Sequence, residues 1–300
     1  MYLEHFGLHE MPFSITPHTQ FFFDGANRGA TLDALTYAIM NDEGIVKICG
    51  EVGSGKTMLC RMLLEKLPKQ IETVYLAIPS LSREDILHAI AEELGLKLTV
   101  WRPHQIMRVL QERLLELHGA GQRVVVMIDE AHAMPLETLE EIRLLSNLET
   151  NQHKLLHIVL FGQPELDERL NQPHMRQLRE RITHNFMLEP MHHSDIASYL
   201  MFRLRAAGYR GPDIFTAEVV QHINNASQGL TRRINILADK ALLAAFVEGK
   251  HLIDEHLIKT AIRDAQFAPM QMPKGKNHRW AIGAAIAAAV LVTVWCSDLF

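Results

Sequence analysis

The chain has 300 residues, length enough for one large domain or two, and at 48% hydrophobic and 22% charged it can bury a sizeable core. That composition excludes disorder as the default state. A formal net charge of −5 excludes a general attraction to nucleic acid and leaves only a local basic patch to provide one.

Residues 1–27 hold Pro12, Pro17 and the run Phe21-Phe22-Phe23 among scattered apolar positions, which predicts an irregular segment packed onto the body. No secretory-signal pattern opens the chain. A helix is expected over 29–41, with Leu32, Leu35, Ala38 and Ile39 on one face. It serves either as core packing or as a cover over a bound base.

Ile45-Val46-Lys47-Ile48-Cys49 is short, apolar and β-branched, the pattern of a buried strand. Next comes Gly50-Glu51-Val52-Gly53-Ser54-Gly55-Lys56-Thr57-Met58, which fits G-x-x-x-x-G-K-[ST] at Gly50, Gly55, Lys56 and Thr57. A helix of good formers follows to Leu67. Glycines let a backbone wrap a polyphosphate with its N–H groups inward, and a helix N-terminus presents more N–H groups to the same anion. In this setting Lys56 supplies positive charge to the outer phosphates and Thr57 a hydroxyl for magnesium.

A second strand is expected over 73–77, then a helix opened by a capping box at Ser82, then an amphipathic helix over 104–118. Val124 to Ile128 reads as a buried strand ending in Asp129-Glu130. In open α/β sheets the C-terminal ends of strands are where ligands bind. Asp129 is suited to hold magnesium and Glu130 to polarise an attacking water; as a bare pair they better suit a helix N-cap, and the phosphate loop upstream turns the balance to the catalytic reading.

A helix is expected over 135–149 and a strand over 157–163, ending at Gln163. Gln163 is either a neighbour of the terminal phosphate or a turn residue before Pro164. Arg179 and Arg181 precede a last strand, Ile182 to Leu188; they are solvated surface or a finger reaching a neighbouring subunit's nucleotide. Residues 191–268 switch to helices only, over 194–207, 216–227, 231–248 and 254–266. Arg232, at the start of the third, is placed to fold back onto a nucleotide.

Residues 269–279 are polar and basic, a linker. Trp280 to Cys296 is an uncharged apolar run of roughly 25 Å as a helix, against about 30 Å for a bilayer core. With tryptophans at both ends and Lys274, Lys276 and Arg279 before it, it reads as a single membrane span with the body in the cytoplasm. A buried C-terminal helix is the alternative, weakened because the run is apolar on every face. Only four residues follow, so no folded domain is expected beyond. The 17 histidines show no metal-ligand spacing and read as surface or capping groups. Three scattered cysteines fit a reducing compartment.

Together these residues resemble the AAA+ ATPases: the loop at 50–57 looks like Walker A and Val124 to Glu130 like Walker B. The resemblance sets Gln163 near sensor 1, Arg181 near the arginine finger and Arg232 near sensor 2. Tyr2-Leu3-Glu4-His5-Phe6-Gly7-Leu8 with Pro12-Phe13-Ser14, Leu144 to Thr150, Phe161 to Leu166 and Arg232-Arg233-Ile234-Asn235 are similar to the ExeA/GspA secretion ATPases. Thr231 stands where that family usually has proline, and its periplasmic peptidoglycan-binding domain has no counterpart here. The resemblance implies a P-loop NTPase core of parallel α/β type over 1–190, a helical lid over 191–268 and a C-terminal transmembrane helix over 280–296. It implies a magnesium-dependent, homo-oligomeric ATPase serving secretion or type IV pilus machinery at the inner membrane. A DNA-binding ATPase of the transposition-helper kind shares this core; the acidic balance and the apolar run argue against nucleic acid as partner. A nucleotide-gated scaffold of very slow turnover is the remaining alternative.

Overall fold

The computed structural model describes residues 2–41, 44–77, 81–98 and 102–267. The basic linker and the apolar run 280–296 lie outside them. Among the described residues no helix is long and apolar enough to cross a membrane.

Five strands carry the architecture: β1 (Ile45–Cys49), β2 (Ile71–Leu76), β3 (Arg123–Ile128), β4 (Leu156–Gly162) and β5 (Ile182–Met187). They form one sheet in the order β2-β3-β4-β1-β5, every pair parallel. A parallel sheet must be covered on both faces, and these strands read accordingly as apolar runs. Along β3, Val124, Val126 and Ile128 point to one face and Val125 and Met127 to the other.

The helices in chain order are α1 (Tyr2–Phe6), α2 (Arg28–Asn41), α3 (Lys56–Lys66), α4 (Arg83–Glu93), α5 (Pro103–Gly119), α6 (Leu136–Leu145), α7 (Glu165–Leu170), α8 (Arg176–Arg179), α9 (His193–Ala206), α10 (Ala217–Ser227), α11 (Thr231–Val247) and α12 (Glu255–Ala265). On one face Leu32 and Leu35 of α2 and Leu59 and Leu63 of α3 pack against Val46, Ile48 and Phe161. On the other, Ile86 and Ile90 of α4, Ile106 and Leu110 of α5, and Leu139 and Ile142 of α6 pack against Val74, Val126 and Ile158. Burying each such side chain contributes roughly 1.5–3 kcal/mol before conformational entropy is set against it. Residues 1–266 make one compact unit, with α9 to α12 following the sheet.

Three expectations need correction. The opening 27 residues are not wholly irregular: they contain α1 and a single 3₁₀ turn at Thr19–Phe21. They pack as expected, burying Tyr2, Phe6, Leu8, Phe13 and Phe21. The helix expected over 135–149 stops at Leu145. There the Ser146 hydroxyl bonds back to Arg143 O, and the chain turns into a bridge between Glu149 and Lys154. The short helices α7 and α8 fill what reads in sequence as a plain lead-in to β5. The capping box is present: Ser82 accepts from Asp85 N, and the Asp85 carboxylate accepts from Ser82 N. His192 caps α9 by accepting from Ser194 N.

Strand order positions the site. β4 lies between β1 and β3, with Cys49 paired to Gly162 and Ile128 to Leu160. The segments leaving β1, β3 and β4 therefore emerge side by side at the C-terminal edge of the sheet.

Candidate active site

The loop after β1 begins with Gly50 N donating to Gly162 O at 3.2 Å. It turns through left-handed backbone at Gly53 (φ 81°) and Gly55 (φ 105°) before entering α3. A Cβ on Gly53 would stand 2.8 Å from Cβ of Arg232, so no side chain fits where the loop meets α11. Lys56 is buried and folds back over the loop, its Nζ donating to Gly50 O at 2.8 Å and Glu51 O at 3.0 Å. Burial pulls its pKa below the usual lysine value, and Glu130 and Asp129 oppose that shift. The Ser54 hydroxyl is buried with no partner, a donor left for something this chain does not supply.

Asp129 continues β3 and is buried. Its Oδ2 accepts from Thr57 Oγ1 at 3.1 Å and from Tyr75 OH at 3.3 Å, and its Oδ1 accepts from Glu130 N at 2.9 Å. Burial, then the Asp129 charge, push the Tyr75 hydroxyl's pKa well above its ordinary value. Glu130 adopts φ 53°, rare for a residue with a side chain, and opens the 3₁₀ turn Ala131–Ala133. Its carboxylate makes no capping bond there. Instead its Oε2 accepts from Gln163 Nε2 at 3.1 Å, with His132 Nε2 at 3.5 Å. Gln163 thus sits beside the second carboxylate, just past the end of β4.

Beside them lies a cavity of about 450 Å³. Gly53, Ser54, Gly55, Lys56, Thr57, Met58, Glu130, Gln163 and Arg232 all line it. Arg232 arrives because α11 begins at Thr231, even without proline there, with Arg232 N donating to Gly53 O at 3.0 Å. The turn into α11 passes Gly229, where a Cβ would meet Met191 O at 2.3 Å.

Arg181 lies elsewhere. It borders a second cavity with Gly44, Ile45, Leu156, Ile158 and Thr183, at the N-terminal ends of β1, β4 and β5. Its guanidinium donates to Ser146 Oγ at 3.0 Å. Arg179 is exposed and bonds Asn171 Oδ1 at 3.0 Å. Neither reaches the first cavity of its own chain.

Several lining groups escape the sequence patterns. Ser14 to Pro17 and Phe21 to Phe23 form one wall, while α2 brings its first residue, Arg28, to the cavity and buries Leu32, Leu35, Ala38 and Ile39 in the core. Arg203 of α9 holds that wall by donating to Pro12 O at 2.5 Å and Ser14 O at 3.2 Å, its guanidinium 4.5 Å from the Phe21 ring centre. Arg28 donates to Ser54 O at 3.4 Å and Glu189 O at 2.9 Å. Tyr199 OH donates to Asn235 Oδ1 at 2.7 Å. None of these has a motif spacing; a buried arginine amid aromatics shows only in three dimensions.

A hydroxyl beside a carboxylate, above a loop with a buried lysine, is an oxygen-donor set suited to a hard cation and a polyphosphate. The AAA domain model matches residues 39–170. Over 261 residues the chain is 42% identical to General secretion pathway protein A of Aeromonas hydrophila, covering 84% of this chain and 46% of that protein. The chain thus spans about half the length of this curated relative. Among solved structures, Cdc6p from Pyrobaculum aerophilum superposes with a TM-score of 0.68 at 18% identity, over 87% of this chain and 74% of that one. The Aeropyrum pernix ORC2 protein, solved as ADPNP-ADP complexes, gives 0.63 at 16% identity, over 87% and 73%. The Thermotoga maritima RuvB branch migration motor gives 0.55 at 16%, over 83% and 72%. At such identities the structural likeness speaks for the fold alone. Residues 39–170 thus match the AAA domain model, and the chain is similar over most of its length to General secretion pathway protein A and shares the fold of the Cdc6p and ORC2 structures.

Proposed function

We propose that the chain hydrolyses ATP with magnesium, as a homo-oligomer, to drive or regulate a membrane-bound secretion or pilus apparatus. The observation that carries the catalytic part is the 3.1 Å contact from Thr57 Oγ1 to Asp129 Oδ2. It joins the glycine loop of β1 to the acid pair of β3, two segments 72 residues apart. Residues 50–58 would hold the phosphates, with the orphaned Ser54 hydroxyl and Lys56 Nζ turning to them in place of internal partners. Thr57 and Asp129 would hold magnesium, whose charge neutralises that developing on the phosphates.

Glu130 orients a water for in-line attack and takes its proton. Gln163 steadies that carboxylate through the 3.1 Å bond and faces the terminal phosphate. Arg232 contacts the nucleotide from the lid, because α11 abuts the loop at Gly53. Arg181 acts in trans: it stands at the opposite edge of the sheet, so it serves the nucleotide of a neighbouring copy. The core over 1–190 carries the site and the helices over 191–268 cover it.

The biological setting rests on the 42% identity to General secretion pathway protein A. Within that group we read the chain as MshM-like, after the ATPase of mannose-sensitive haemagglutinin (type IV) pilus biogenesis. The apolar run 280–296 would tether it as a single-pass protein of the cytoplasmic membrane, with the ATPase body in the cytoplasm. The test is capture from membranes with the full chain carrying Glu130→Gln and loaded with ATP. Inner-membrane components of a type IV pilus or type II secretion apparatus should be enriched over a Lys56→Ala control. Recovery of duplex DNA in their place, lost at high salt, would overturn the setting in favour of a nucleic-acid ATPase.

A further inference from the structure

His132 is a partly buried side chain that the catalytic reading leaves idle. It sits in the 3₁₀ turn directly after Glu130, and its ring is 16% exposed. Its Nε2 stands 3.5 Å from Glu130 Oε2, the oxygen that also accepts from Gln163 Nε2 at 3.1 Å. No hydrogen bond reaches the other oxygen, Oε1, from the described residues. Both partners thus gather on one side of the carboxylate.

The turn holding His132 is itself fixed. The Arg169 guanidinium on α7 donates to the carbonyls of His132 and Met134, strapping the turn across its width. The His132 Nδ1 is buried without a partner. A proton on Nε2 leaves Nδ1 a bare acceptor, the less costly way to orphan a ring nitrogen beside a carboxylate. A ring placed only to fill space has no reason to abandon one nitrogen while aiming the other at Glu130.

We propose that His132 is a positioning residue for hydrolysis: with Gln163 it holds Oε2 of Glu130, so that Oε1 faces the attacking water. The inference rests on Glu130 being the base. In the step, the water oxygen bonds the terminal phosphorus and the bond from that phosphorus to the ADP oxygen breaks. The water proton passes to Oε1, and the products are ADP, phosphate and, after release, a proton. The Gln163 donor on Oε2, with His132 Nε2 3.5 Å from the same oxygen, leaves the free lone pairs on the oxygen that must accept. The left-handed backbone at Glu130, φ 53°, turns the side chain from Asp129 toward this pair.

The test is steady-state ATP hydrolysis by the full chain with His132→Ala, alone and combined with Glu130→Gln, and with His132→Gln. We expect His132→Ala to lower kcat about tenfold, with the KM for ATP and the affinity for a fluorescent ATP analogue within about twofold of wild type. His132→Gln places an amide N–H at similar reach and should recover most of the rate. In the Glu130→Gln background His132→Ala should cost nothing further, because the group it positions is gone. The inference is overturned if His132→Ala keeps kcat within about twofold, or if it costs the same factor with and without Glu130. Should Glu130→Gln alone hydrolyse ATP at the wild-type rate, the base assignment fails, and the inference with it. Slow Glu130→Gln with fast His132→Ala removes the inference only.

Discussion

Asp129 and Thr57 make the smallest unit of the account. Asp129 is buried, yet among the described residues it forms no ion pair with a lysine or arginine; its hydrogen-bond partners are the Thr57 and Tyr75 hydroxyls and the Glu130 N–H. A buried carboxylate with neutral partners is costly unless a cation joins it. Thr57→Val keeps the shape and removes the hydroxyl. It should weaken magnesium–ATP binding about ten- to a hundredfold while magnesium-free ADP binds nearly as before. Fluorescent-nucleotide titration with and without magnesium checks this; equal loss in both would point to a distorted loop instead. Lys56, Thr57, Asp129 and Glu130 are legible in the sequence because their chemistry is tied to fixed places on a strand, a turn and a helix. Arg28, Tyr199 and Arg203 are not, because only the packing of distant segments brings them to the cavity.

Elements with strong periodicity lie where the sequence puts them: each of the five strands, and α9 to α12 within a residue or two. The misses are short. α7 and α8 span six and four residues, too few turns for a periodic pattern to declare itself. α6 ends early because Ser146 and Asn147 turn the chain before Leu148, which is buried all the same and so misleads the pattern. The N-terminal wall of the cavity depends on α9 rather than on its own propensity, through Arg203 and the buried Tyr199. Tyr199→Phe removes the hydroxyl of α9 that donates to Asn235 of α11 and leaves a buried amide oxygen unsatisfied. The expected loss is about 1–3 kcal/mol of stability, read by urea denaturation at unchanged m-value. An unaltered midpoint would show that Asn235 finds another donor.

At the scale of the whole molecule, the sheet sets two cavities at its opposite edges. One holds the glycine loop and the acids, the other Arg181 on Ser146. A single copy therefore brings no Arg181 to its own loop, and in the proposed trans role a neighbouring copy would supply it by head-to-tail association. The most direct measurement is ATP turnover of Glu130→Gln and Arg181→Ala, each alone and mixed in equal amounts. Each alone should bind ATP and hydrolyse it at about a hundredth of the wild-type rate or less. The mixture should regain up to about a quarter of that rate, because a site with intact Glu130 then meets a neighbour with intact Arg181. Wild-type turnover by Glu130→Gln alone, or a mixture no faster than its parts, would contradict the account.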